Sequence, residues 1–238
     1  MLALMHTRLL LSTCLVTALA CAAPGDAPAP AFADPALADP APTHPELAAQ
    51  ILELAERDQV ARGAMIEAFA EATPAEDGSL DVAPSQLGLV LAVQAIDAES
   101  TAFLRGLVAD TGWPTYDQVG AKAADSAWLL VQHADAAPEL QAEVLALMEP
   151  LVEAGQASGL NLAYLSDRVR CAAKQPQSFG TQFGSDASGV HRPFPLEDPA
   201  GIDERRASVG LEPLAEYARQ ISEVYGAEAS PEPLEAFP

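Results

Sequence analysis

Apolar residues recur along the chain at helical spacing. Leu47, Ile51, Leu54, Ala61, Met65 and Phe69 follow one another at steps of three, four or their sum, the mark of a single buried helix face, and predict a first helix over 46–72. Asp58 falls on that stripe. A carboxylate there needs a partner, because burying it alone is costly. The choices are Arg62, one turn on, or a site shared with other helices. A second helix is predicted over 86–110, with Leu89, Val93, Ile96, Phe103 and Leu107 inward and Asp97 beside the stripe. Gly112 stops it, Trp113-Pro114 makes a fixed turn, and Thr115 with Gln118 has capping-box spacing. The third helix contains the most apolar run of the mature chain, Ala127 to Asp135, which ends in Gln132, His133 and Asp135.

Pro138 opens a fourth helix, 139–154, in which Pro150 should impose a kink. Gly155 to Gly159 is a turn, and a fifth helix follows over 160–174 with Leu162, Leu165 and Val169 inward. Pro and Gly then break the pattern, so 175–196 reads as an irregular loop or a short edge-limited hairpin. Short helices over 202–209 and 213–225 complete the domain. The expected fold is mainly α: one bundle of about six or seven helices over 46–225, with one irregular or β-hairpin insertion near 175–196. Residues 226–238, acidic and Pro-containing, read as a disordered tail.

The N-terminal segment has a different character. Arg8 followed by the apolar run Leu9–Leu19 has the form of an export signal over 1–20, too short for a permanent span. Ala18-Leu19-Ala20-Cys21 resembles a bacterial lipobox, with Cys21 lipidated as the mature N-terminus. The same residues also fit an ordinary A-x-A cleavage site, which would release a secreted or periplasmic protein. Residues 21–45, with seven prolines, form an Ala/Pro-rich tether. The expected address is the cell envelope, at a membrane surface through acyl chains on Cys21. No later stretch reads as long and apolar enough to span a bilayer.

Charge narrows the partners. With 34 acids against 12 Lys and Arg, the net charge is −22, a surface that repels phosphate backbones and argues against nucleic acid. Cys171 is the only cysteine beyond the signal and its Cys21 junction, so the domain can form no internal disulfide.

Eight polar residues stand out: His133, Asp135, Asp167 and Arg168 as catalytic candidates, and Gln132, Gln182, Arg205 and Arg206 as ligand-binding candidates. Three uses are open. In the structural one, Asp167 and Arg168 pair with Arg205, Arg206 and Asp203 to clamp the C-terminal segment, Gln182 satisfies loop backbone groups, and Asp135 caps the fourth helix. In the enzymatic one, His133 beside a carboxylate is a general base and the arginines hold an anionic substrate, giving a hydrolase or transferase. In the binding one, the cleft takes an anionic small molecule or an envelope protein. No nucleophile motif, cofactor motif or zinc spacing is present. Neither cofactor nor metal is assigned, since His133 and Asp135 share no helical face.

Several of these pieces form an ordered set: Gly112-Trp113-Pro114, Val119-Gly120, Ala127 to Asp135, Ala163-Tyr164-Leu165 with Asp167-Arg168-Val169, Gly180-Thr181-Gln182, and Asp203 with Arg205-Arg206 through Leu211. Together they resemble a bacterial domain family of unknown function, over roughly Leu47 to Tyr217. The resemblance implies one domain with a recurring polar set, and it carries no reaction.

Overall fold

The computed structural model describes residues 7–10, 41–69 and 79–237. Cys21, nearly all of the export signal, most of the tether and the first part of the linker after the first helix lie outside the described residues. Eight helices are present among those described: α1 (Pro45–Phe69), α2 (Pro84–Thr111), α3 (Tyr116–Val119), α4 (Ala121–Gln132), α5 (Pro138–Glu153), α6 (Gly159–Ala172), α7 (Ile202–Ser208) and α8 (Leu214–Tyr225). Two short antiparallel ribbons accompany them: β1 (Thr7–Leu10) with β2 (Ser79–Val82), and β3 (Phe183–Ser185) with β4 (His191–Pro193). The mainly α architecture and the hairpin inside 175–196 are as expected.

Local chemistry fixes the helix ends. Pro84 occupies the first turn of α2, and Gln86 Oε1 accepts from the Ala83 N–H at 2.8 Å. Gly112, at φ 77°, ends α2 and returns its N–H to the Val108 carbonyl, a backbone geometry that side chains disfavour. The capping box forms as read: Thr115 Oγ1 accepts from Gln118 N–H and Gln118 Oε1 from Thr115 N–H. It caps only the single turn of α3, because Gly120 at φ 81° breaks the chain before α4. Pro150 lies inside the last turn of α5, and the helix continues past it to Glu153.

Packing centres on α4. Helix α1 runs against α2 and α4, while α6 packs on α5. The main core holds Ile51, Leu54, Leu104, Ala127, Leu130, Val131, Leu140, Val144, Met148 and Leu165. A second cluster, Met65, Phe69, Val90 and Val93, closes the far end of the α1–α2 pair. A third, Ile202, Leu214, Tyr217 and Ile221, seats α7 and α8 against Tyr164 and Phe183.

Two expectations are corrected. By length and composition α2 is apolar enough to cross a membrane, although no such stretch was read after the signal. Its buried face nevertheless packs Val90, Val93, Leu104 and Leu107 into the bundle. The disordered acidic tail is also corrected. The His191 N–H donates to the Glu228 carbonyl at 2.8 Å, the Ser230 N–H to the His191 carbonyl, and the Leu234 N–H to the Pro193 carbonyl. The Phe237 ring lies 5.5 Å from that of Phe194. Backbone pairing with the open edge of β4 and one aromatic contact hold this segment.

Candidate functional site

Two polar networks lie inside the bundle, and the adjacent residues Asp167 and Arg168 serve one each. Successive helical side chains point about 100° apart, so Arg168 faces α4 while Asp167 faces the 176–182 loop.

The first network joins five helices. From α1, Asp58 and Arg62 are buried on the stripe, one turn apart. Arg62 Nε donates to Asp58 Oδ1 at 2.9 Å, and its NH2 group pairs with Asp97 of α2. His133, the C-cap of α4, presents Nδ1 to Asp58 Oδ2 at 2.8 Å, and the same nitrogen lies 2.9 Å from Arg62 Nε. Gln59 Nε2 also donates to Asp58 Oδ2 at 2.9 Å. Nδ1 thus faces a carboxylate that can only accept and an Arg62 N–H that can only donate: with the proton on Nδ1 the ring serves Asp58 and Nε2 is its basic nitrogen, and with the proton on Nε2 the ring accepts from Arg62. Burial holds His133 below its ordinary value, helped by the charges of Arg62 and Arg168 and opposed by Asp58. For Asp58, burial works upward, but the His133 hydrogen bond, Arg62 and Gln59 outweigh it and set the carboxyl below the usual range. Asp97 goes the other way: burial, with the charges of Asp58 and Asp135, raises it to about 6 despite Arg62.

Beside His133, Gln132 Oε1 accepts from Arg168 Nε at 2.6 Å, and Arg168 NH1 donates to Asp135 Oδ1 at 2.6 Å. Gln141 Nε2 ties the same Asp135 oxygen and the Val131 carbonyl to α5. Asp135 does not cap α5. Ala137 occupies that position without a side-chain bond, because Asp135 is already turned to Arg168. Gln132 is only 4% exposed, and its Nε2 has no hydrogen-bond partner among the described residues; the same holds for buried Trp128 Nε1, one turn earlier on α4.

The second network is a clamp. Asp167, fully buried, accepts from the N–H groups of Ser178, Phe179 and Thr181 and from the Thr181 hydroxyl, at 2.7–3.2 Å. Burial raises its carboxyl in spite of these donors. Arg206, also fully buried, donates to the carbonyls of Glu212 and Phe179 at 2.6 Å and lies over the Tyr217 ring. Arg205 holds the Ser178 carbonyl and Asp198, and Asp203 accepts from the Leu214 N–H. The expected clamp therefore exists, but pairing of Asp167 with Arg205 or Arg206 is corrected: Asp167, Arg206 and Asp203 meet backbone groups, because the loop's own amides and carbonyls need partners, and Arg205 adds an ion pair with Asp198 to its backbone bonds. Gln177, not Gln182, satisfies the loop, exchanging bonds with the Gln182 backbone and donating to the Phe194 carbonyl. The Gln182 side chain reaches only Thr181 Oγ1.

The structure thus brings Gln132, His133, Asp135 and Arg168 together, and sends Asp167, Gln182, Arg205 and Arg206 to the clamp. Asp58, Arg62 and Asp97 complete the first cluster. Asp58 and Asp97 were visible in the sequence as acids on or beside apolar stripes, but not as partners of His133. No group of three His, Cys, Asp or Glu placed to hold a metal ion occurs among the described residues. Burial pushes the Cys171 thiol to about 12, so it is a poor nucleophile.

No curated protein matches this chain, and no solved structure does. Residues 45–230 match the model of a family described as a family of unknown function (DUF6624), which starts with α1 and ends in the segment pairing with β4. The chain belongs to that family.

Proposed function

We propose that the chain is an exported lipoprotein of the bacterial cell envelope, anchored through Cys21, whose helical domain binds a small polar ligand at the network around His133 and Gln132. The observation that carries the binding reading is the buried Gln132 amide. Its oxygen is fixed by Arg168, its nitrogen has no partner among the described residues, and an unmet buried donor costs about 1–3 kcal/mol. The family match from residue 45 agrees with a separate leader and tether before the domain. Cleavage before Cys21 would remove β1 and leave β2 without its partner strand.

A second reading has its own support. In the tautomer whose Nδ1–H serves Asp58, His133 Nε2 is left to take a proton, so a hydrolase or transferase with His133 as general base also fits.

The test is a thermal-shift screen of the whole chain in detergent, wild type against His133→Ala and Gln132→Met, with amino acids, short peptides, cell-wall fragments, anionic metabolites and divalent metals. A ligand that binds only the folded state raises the melting temperature by mass action. A shift in wild type that both variants lose supports the site. No shift with any probe, with His133→Ala simply melting lower, returns the network to a structural role.

A further inference from the structure

The first network is short of one positive charge and one hydrogen-bond acceptor. Among the described side chains, three carboxylates (Asp58, Asp97 and Asp135) face two guanidiniums (Arg62 and Arg168), and His133 is held toward its neutral form. The excess is not deep. Asp58 is shut in by Arg62, His133 and Gln59, whereas the side chains of Asp97 and Asp135 remain 27% and 39% exposed. These two open carboxylates belong to the same network, Asp97 on Arg62 and Asp135 on Arg168. Next to them, one guanidinium away from Asp135, lies the Gln132 amide with its unmatched donor, and Trp128 Nε1 is a second buried donor on the same stretch of α4. Flipping the Gln132 amide does not resolve the mismatch, because it would set an N–H against the donating Arg168 Nε.

The arginines, which the sequence offered to an anion, are engaged. Arg168 is held by Gln132 and Asp135, and Arg62 by Asp58 and Asp97. An anion would have to displace a carboxylate from a guanidinium. A cation meets carboxylate edges that still face solvent.

Resting on the binding reading above, we propose that this site takes a primary ammonium adjoining a carbonyl: the ammonium between Asp97 and Asp135, and the carbonyl oxygen on Gln132 Nε2. An amino-acid amide and the free amino end of a peptide both present that group. An ammonium has three donors to share between two carboxylates, and the neighbouring carbonyl supplies the acceptor that Gln132 lacks.

The experiment uses the whole chain in detergent, with binding read by calorimetry and by melting temperature. The probes are L-alaninamide, L-alanyl-L-alaninamide, N-acetyl-L-alaninamide, ethylammonium and acetate. The expected result is binding of L-alaninamide or the dipeptide amide, with N-acetyl-L-alaninamide, ethylammonium and acetate each weaker by about tenfold or more, the weight of one charge-assisted contact. The two binding probes separate a free amino-acid source from a peptide end. Asp97→Asn, which keeps an acceptor for Arg62, should weaken L-alaninamide by a similar factor while remaining folded. Acetate binding as well as L-alaninamide, or acetylation making no difference, overturns the ligand class and leaves the site standing. Binding unchanged in both Asp97→Asn and Gln132→Met overturns the placement. Absence of binding by every probe overturns this proposal alone, since the wider screen decides the parent reading. Should Asp97→Asn fail to fold, the comparison among probes on the wild type decides.

Discussion

His133 Nδ1 lies 2.8 Å from Asp58 Oδ2 although 75 positions separate them in sequence. The contact exists because α1 and α4 cross in the main core, so that an acid on the α1 stripe meets the residue that ends α4. Arg62 closes the triangle from the next turn of α1. Removing His133 strands the Asp58 oxygen on Gln59 alone. The expected cost of His133→Ala is about 1–3 kcal/mol, the desolvation of a buried acceptor that has lost its donor. His133→Asn can place an N–H near the Nδ1 position but has no basic nitrogen. It should therefore recover most of the stability in chemical denaturation while abolishing any turnover that depends on Nε2. Equal stability of the Ala and Asn variants would show that the Nδ1 bond contributes nothing.

Asp97 gives the network an unusual pH dependence. Its carboxyl titrates near 6 in the folded chain, above the ordinary value of 3.8. Between those values the folded state keeps a proton that the unfolded state has released, so this residue favours folding in acid and its contribution is lost as pH rises through that window. Asp58 and His133, both shifted down, act in the opposite sense: their contributions weaken as pH falls. Asp97→Asn isolates the first effect. Relative to wild type, the variant should gain stability between pH 4 and pH 7, by about 2–3 kcal/mol if the whole shift acts on folding. Melting temperatures of both proteins across that range check it, and a constant difference would refute the assignment.

Much of the scaffold was legible because its signals are local. The α1 stripe, the Gly112 stop, the Thr115–Gln118 box and the Pro138 start each depend on residues within a turn or two. The short break at Gly120 went unseen, since a positive φ is a property of the backbone that glycine permits but does not announce. The site was half legible. Gln132, His133 and Asp135 were found as a cluster, yet their charged partners come from α1 and α6, and no spacing rule links positions that far apart. Asp167-Arg168 misled for a geometric reason: two adjacent charges on a helix look like a unit in sequence and face different neighbours in space. The tail misled because its acidic, Pro-containing composition hides backbone bonds to β4.

The anchor can be tested independently of the domain. If Cys21 is the mature N-terminus, Cys21→Ser should abolish incorporation of a labelled fatty acid and move the protein from the membrane to the soluble fraction. The melting temperature of the domain should change little, since α1 begins at Pro45. A protein that remains unlabelled, yet is cleaved after Ala20 in wild type, would identify ordinary secretion instead.

Asp167 should prove the most sensitive polar residue for stability. Its two oxygens collect three N–H groups and one hydroxyl from a four-residue stretch of loop, with no exposure to water. Alanine there leaves all four donors unmet at once and frees the loop whose carbonyls hold Arg205 and Arg206. Losing the partner of buried charge-assisted bonds costs about 3–5 kcal/mol, a large share of the 5–15 kcal/mol that typically holds a domain together. Asparagine keeps one acceptor oxygen but turns a donor toward the others, so Asp167→Asn should recover only part of the loss. Urea denaturation of the two variants gives the ordering, wild type above Asn above Ala. Gln132→Met should fall far less, because its lost bond to Arg168 leaves Asp135 in place. If Asp167→Ala were no worse than Gln132→Met, the 176–182 loop would not be held by the clamp, and the division of the polar residues into a stabilising network and a ligand site would fail.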